Sequence, residues 1–274
     1  MVEKFRPDFL NPEINVSPLV DGRYVRGFFT EVGNLDSLPE EVQKNTPEGY
    51  VIKQYLGIGN PEEVAKELLL KEGSKGEKVS IVGIAKELQQ RHEMIKKYFD
   101  QSLPDLVLPT QLIVGKNEMT KKNSLYEIQS RLDPSSTTNI VNESTFWPVF
   151  ECFVHGEEKS RVEAEKELAA FIDYLHNTFP QQIGQFKNQL KIFIEQIKNF
   201  QTQTNHLPFD CAMLTNLIFT KDGLRLIDTN AIVPTPLPLR GKEIKPVEKF
   251  RQMNWRKQMF NGSLEILNII ESKL

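Results

Sequence analysis

The apolar residues of this chain change their period partway along, and that change decides what the chain can build. In the first third they alternate with polar residues, as in RYVRGFF and YVIKQYL, and clusters of Gly, Asn and Pro separate the runs. A two-residue period is that of strands, whose successive side chains point to opposite faces of a sheet. Then KVSIVGIAKELQQRHEMIKKYF places Ile81, Ala85, Leu88, His92, Ile95 and Phe99 at spacings of three and four. That stripe predicts a helix of about five turns. LVLPTQLIVG and SLYEIQSRL return to strand character, joined by the charged segment KNEMTKKN, which suits an exposed hairpin end.

At DPSSTTNIVNEST the chain turns polar and loses any period, which predicts a connection between two halves. The second half is mostly helical. EEKSRVEAEKELAAFIDYLHNTF carries Leu168, Phe171, Ile172 and Leu175 on one stripe, and QFKNQLKIFIEQIKNFQ repeats the pattern at Leu190, Phe193, Ile194, Ile197 and Phe200. Two such helices are expected to pack together. Prolines at 234, 236, 238 and 246 exclude a helix from VPTPLPLRGKEIKP, and a last helix, SLEILNIIESKL, closes the chain. No internal repeat or low-complexity tract interrupts this order. The expected architecture is α+β in two halves, residues 1–132 and 133–274: a small sheet with one long helix, then a larger helical half with an embedded hairpin.

Bulk properties narrow the function classes. With 274 residues and 39% hydrophobic content the chain buries enough apolar surface to fold without disulfides or a structural metal. A net charge of −3 supplies no basic field for nucleic acid. Cys152 and Cys211 lack metal-ligand spacing and point to a reducing compartment, the cytoplasm. MVEKFRPDFLNPEINV lacks the apolar core of a signal peptide, and no run reaches the roughly 18 apolar residues of a membrane span, so no membrane partner is expected. Neither Gly-x-Ser-x-Gly nor His-Glu-x-x-His occurs, which leaves a hydrolase without support.

The stretch NLIFTKDGLRLIDTN carries the chemistry. Two short apolar runs flank Lys221-Asp222-Gly223, and a three-residue hairpin loop favours Gly at its third position, where φ is positive. Folding about that loop pairs Thr220 with Leu224, Phe219 with Arg225, Ile218 with Leu226, Leu217 with Ile227, and then Asn216 with Asp228. Opposed residues have Cβ atoms roughly 4.5–5.5 Å apart, close enough for an amide oxygen and a carboxylate to share one small cation. Hard oxygen ligands of this kind suit a magnesium ion that also takes phosphate oxygens. Asp210 precedes Asn216 by six residues, in the loop HLPFDCAMLTN after a long helix.

FDCAMLTNLIFTKDGLRLID resembles the segment of the protein-kinase-like superfamily, which includes aminoglycoside and choline phosphotransferases, that runs from the catalytic-loop Asp through an Asn and a hairpin to a metal-binding Asp. The resemblance implies a bilobal protein-kinase-like fold, with a small β-rich N-terminal lobe that binds nucleotide and a mainly helical C-terminal lobe carrying the catalytic loop and metal site. It implies ATP and Mg2+ as cofactors and a hydroxyl on a protein or small molecule as acceptor. Asp210 would orient or deprotonate that hydroxyl, and Asn216 and Asp228 would hold magnesium against the phosphates. Lys53 in GYVIKQYLG would be the strand lysine of the α- and β-phosphates, with Glu93, beside the apolar stripe, as its preferred helix partner and Glu87 as the alternative. Gly22 and Gly27 in VDGRYVRGFF lie where a phosphate-covering loop belongs, and backbone groups from Gln129 to Arg131 would meet an adenine edge.

The chain departs from the family pattern in three places. Pro208 stands where the family has His two residues before the Asp; the Asp210-to-Asn216 separation is six rather than five; and Thr229-Asn230 follows Asp228 in place of Phe-Gly. FIDYLHNTF is a false match to the helix before the catalytic loop, because QLKIFIEQIKNFQ occupies that slot. The departures leave two alternatives to a phosphotransferase: a catalytically silent, pseudokinase-type nucleotide-binding scaffold, and a relative that transfers AMP.

Overall fold

The strand periods before and after the first predicted helix become five antiparallel strands: β1 (Val16–Asp21), β2 (Val25–Thr30), β3 (Tyr50–Tyr55), β4 (Thr110–Lys116) and β5 (Asn123–Ser130). The computed structural model describes residues 16–21, 25–30, 50–55, 80–116, 123–132, 137–139, 158–229, 232–234 and 246–274. The chain divides into two units, residues 1–94 with 108–133 and residues 95–107 with 134–274. The five strands form the sheet of the first unit in the order β1-β2-β3-β5-β4. Its interior strands carry the core: Ile52 on β3 and Leu125, Tyr126 and Ile128 on β5 are fully buried. β5 is buried from Ser124 to Ser130 without alternation, as expected of a strand covered on both faces.

Helix α1 (Ile81–Phe99) stands between β3 and β4 in the chain. Ser80 caps it, its hydroxyl accepting the Gly83 amide at 2.9 Å and satisfying one of the N–H groups that a first turn leaves open. The predicted stripe is buried at Ala85, Leu88, His92, Ile95 and Phe99, and Ile84 joins it with no exposure at all. Gln89 uses its amide as a short length of strand: Oε1 accepts the Leu112 N–H at 3.0 Å, and Nε2 donates to the Thr110 carbonyl at 3.2 Å. Strand β4 ends the sheet, so this amide occupies backbone groups that would otherwise recruit another strand.

In the second unit the long helices are α2 (Glu158–Thr178) and α3 (Ile183–Thr204). Leu190, Phe193, Ile194, Ile197 and Phe200 are all buried on α3, as its period predicts. The hairpin joins the two helices through Phe219, whose ring lies edge-on to Phe171 of α2 at 5.6 Å and to Phe186 of α3 at 5.1 Å. Such pairs add about 0.5–1.5 kcal/mol each beyond area burial. After α3 come β7 (His206–Pro208), the short helix α4 (Phe209–Ala212), a 3₁₀ turn (Leu214–Asn216), β8 (Leu217–Thr220), β9 (Gly223–Leu226), β10 (Ile232–Pro234) and α5 (Pro246–Lys273). α3 packs chiefly on α5, which also meets α2.

Two sequence expectations change here. The polar connection DPSSTTNIVNEST contains a strand, β6 (Thr137–Asn139), which pairs antiparallel with β8 at Thr137↔Thr220, Thr138↔Phe219 and Asn139↔Ile218. Its backbone completes a three-stranded sheet β6-β8-β9 and owes nothing to an apolar period. The last helix is also longer than SLEILNIIESKL, because Pro246 begins it. Proline suits a first helical position, where its missing N–H has no intrahelical partner to lose. Among the described residues no helix is long and apolar enough to cross a membrane.

Candidate functional site

In the first unit, Lys53 sits mid-strand on β3, opposite Gly27 of β2 on one side and Glu127 of β5 on the other. Its Nζ lies 2.8 Å from Glu127 Oε1, and the side chains are 17% and 1% exposed, respectively. A carboxylate so fully withdrawn from water needs its cation, because burying a lone ion costs several kcal/mol. On the other face of the same strands, Gln54 donates to Ser124 Oγ at 3.2 Å.

The helix carboxylates are engaged elsewhere. Glu93 is exposed and accepts from Gln89 Nε2 at 3.2 Å, while Glu87 pairs with Arg91 at 3.0 Å one helical turn on. The ion pair expected between Lys53 and Glu93 is therefore replaced by a cross-strand pair with Glu127. A helix pair at i and i+4 forms locally, and directly opposed strand residues are closer still, so both outcomes follow from nearest-neighbour geometry. The signal for Glu127 was present in the sequence. Like Lys53 it is a charged residue in the middle of a strand, and it is set between the apolar neighbours Tyr126 and Ile128.

The remaining nucleotide candidates of this unit fall in different settings. Gly27 is a strand residue of β2, and Gly22 lies outside the described residues. Gln129 belongs to the ladder between β3 and β4, with its side chain donating to Thr110 Oγ1 at 2.6 Å. The ladder ends at Ser130, and half-buried Arg131 comes next.

In the second unit the hairpin forms, but in a different register from the one expected. β8 and β9 pair as Leu217↔Leu226, Ile218↔Arg225, Phe219↔Leu224 and Thr220↔Gly223, so the loop is the two exposed residues Lys221 and Asp222. Thr220 shapes the turn: its hydroxyl donates to the Gly223 carbonyl at 2.8 Å and accepts the Asp222 amide at 3.1 Å. Gly223 adopts φ of 114°, a value open to Gly and strained for other residues. Two glutamines of α3 hold the turn from outside, Gln189 Oε1 accepting the Leu224 amide at 3.0 Å and Gln185 Nε2 donating to the Asp222 carbonyl at 3.2 Å.

The consequence reaches the open end. Asn216 now lies opposite Ile227, whose amide donates to the Asn216 carbonyl at 2.9 Å, and Asp228 is one residue farther along. Combining a strand separation near 5 Å with one Cα step places the Asn216 and Asp228 Cα atoms roughly 6 Å apart. Both residues are half-buried, and Thr229 beyond them is buried. Asn216 and Asp228 each carry hard oxygen donors of the kind magnesium takes together with phosphate. Among the described residues no group of three or more His, Cys, Asp or Glu is gathered as a metal cage.

Asp210 lies on α4, between β7 and the 3₁₀ turn that ends at Asn216, and its side chain is not among those described. Pro208, two residues earlier, is buried in β7 and paired with Ile232. His206 has Nδ1 at 2.6 Å from the Thr204 carbonyl. No protein-family model matches this chain, and no curated protein sequence matches it either.

Proposed function

We propose that the chain is an ATP-dependent phosphotransferase of protein-kinase-like design, which moves the γ-phosphoryl group to a hydroxyl of a protein or small molecule. The observation that carries this reading is a hairpin whose open end sets Asn216 opposite Ile227 and so one residue from Asp228, with Asp210 a short turn upstream. In the proposed reaction Asn216 and Asp228 hold magnesium, Lys53 binds the phosphates, and Asp210 orients the acceptor hydroxyl and takes its proton. Bound magnesium would neutralise charge on the phosphate oxygens. The protein's own contribution is then positioning and fixed charge, which supply most of the catalysis in phosphoryl transfer.

Thermal stability measured with ATP, with and without magnesium, tests the reading. ATP at a hundred times its dissociation constant stabilises a protein by about 2.7 kcal/mol, or roughly 5–10 °C in a chain of this size. The expected result is a magnesium-dependent shift that Asp228→Ala abolishes. Absence of any shift in the unsubstituted protein refutes the proposal. The buried Pro208, in the place of the family His, favours a second reading in which nucleotide binds without transfer. Incubation with ATP labelled at the α- or the γ-phosphate separates the readings: γ-label on an acceptor marks phosphoryl transfer, α-label marks AMP transfer, and binding with neither marks a scaffold.

A further inference from the structure

We propose that Glu127 is the positioning residue of Lys53, so that the lysine is set for phosphate from within the sheet and independently of helix α1. The inference rests on the phosphotransferase reading and deepens it.

Three observations carry it. Lys53 and Glu127 are directly opposed in the β3–β5 ladder and 2.8 Å apart, so the pair is built by strand register alone. Their exposures are unequal: the carboxylate is sealed at 1%, whereas the lysine keeps 17%. The anion therefore holds the ammonium from the inside and leaves it reachable. On its other flank Lys53 faces Gly27, which brings no side chain to that position. Meanwhile Glu93 accepts from Gln89 and Glu87 pairs with Arg91, both within α1.

The mechanical consequence is specific. Where a helix carboxylate holds the phosphate lysine, movement of that helix makes or breaks the contact and so governs activity. Here the carboxylate rides on the neighbouring strand. Separating it from Lys53 requires opening a ladder that runs from Tyr50↔Ser130 to Gln54↔Tyr126, in a strand held by β4 on its other edge. Displacement of helix α1 alone therefore does not break the Lys53–Glu127 pair.

Calorimetric titration of the full chain with Mg-ATP tests the proposal in the unsubstituted protein, Glu127→Gln, Glu93→Gln and Glu87→Gln. Glu127→Gln should weaken binding by about tenfold or more, and the two helix variants should stay within about twofold. If Glu127→Gln does not fold, Glu127→Asp, which keeps the charge but withdraws it by one methylene, carries the same expectation. Amine labelling of Lys53 in the unsubstituted protein, read by mass spectrometry, supplies an independent measure: Mg-ATP should protect it. An unsubstituted protein that takes up no Mg-ATP sinks the phosphotransferase reading itself. Binding that is intact in the Glu127 variants, labelling that Mg-ATP does not alter, or helix variants as weak as Glu127→Gln would overturn the positioning role alone.

Discussion

Gly223→Ala tests the turn on which the hairpin register depends. The residue sits at φ 114°, where a side chain costs about 1–3 kcal/mol. A Cβ built there lies 2.7 Å from Gln189 Oε1 and 2.8 Å from Gln185 Nε2. Both are ends of flexible side chains, so the clash is relieved by moving them. Moving Gln189 strips the Leu224 amide of its acceptor, and Leu224 has no exposure through which water could replace it. An orphaned buried amide costs about 1–3 kcal/mol. The total expected from urea unfolding monitored by circular dichroism is therefore about 2–6 kcal/mol. Gln189→Ala alone forfeits the same hydrogen bond, so the double variant should lose about 1–3 kcal/mol less than the sum of the singles. A Gly223→Ala protein within about 0.5 kcal/mol of the parent, or strict additivity with Gln189→Ala, would refute the clamp.

Two further changes probe the second unit. Gly184, near the start of α3, is exposed and has no atom within 4 Å of where a Cβ would go, so Gly184→Ala should raise stability by up to about 1 kcal/mol, seen as a higher melting temperature. Tyr98, edge-on to Phe200 at 5.0 Å, has its phenol pKa raised above 10.0 by desolvation. A raised acid group keeps its stabilising contribution below the ordinary value and loses it as pH climbs from about 10 through the folded value. Ultraviolet titration of the phenolate should show the upward shift, and Tyr98→Phe should flatten the alkaline fall in stability.

The two groups of candidate residues were legible to different depths, and for one reason. Period identifies the face a residue takes, and so the strand carrying Lys53, the helix after it and the burial of Phe193 and Ile197 could all be read directly. Period does not identify the partner on that face. Lys53 had carboxylates available on α1 and on β5, and it took the one fixed opposite it by the ladder. The hairpin shows the same limit at its turn. Lys221-Asp222-Gly223 reads as a three-residue loop because Gly takes positive φ at the third position, and in the structure Gly223 keeps that φ while pairing with Thr220. The choice fell to Thr220 and to Gln185 and Gln189, two residues distant in sequence whose place on α3 says nothing of turns. A slip of one residue normally turns every side chain to the opposite face, and here it replaces Asn216 opposite Asp228 by Asn216 opposite Ile227. A cation held by both residues must therefore be met diagonally, past the last paired residues of the hairpin. In the proposed reaction phosphate oxygens would complete that coordination, so the Asp228→Ala response should require nucleotide and magnesium together.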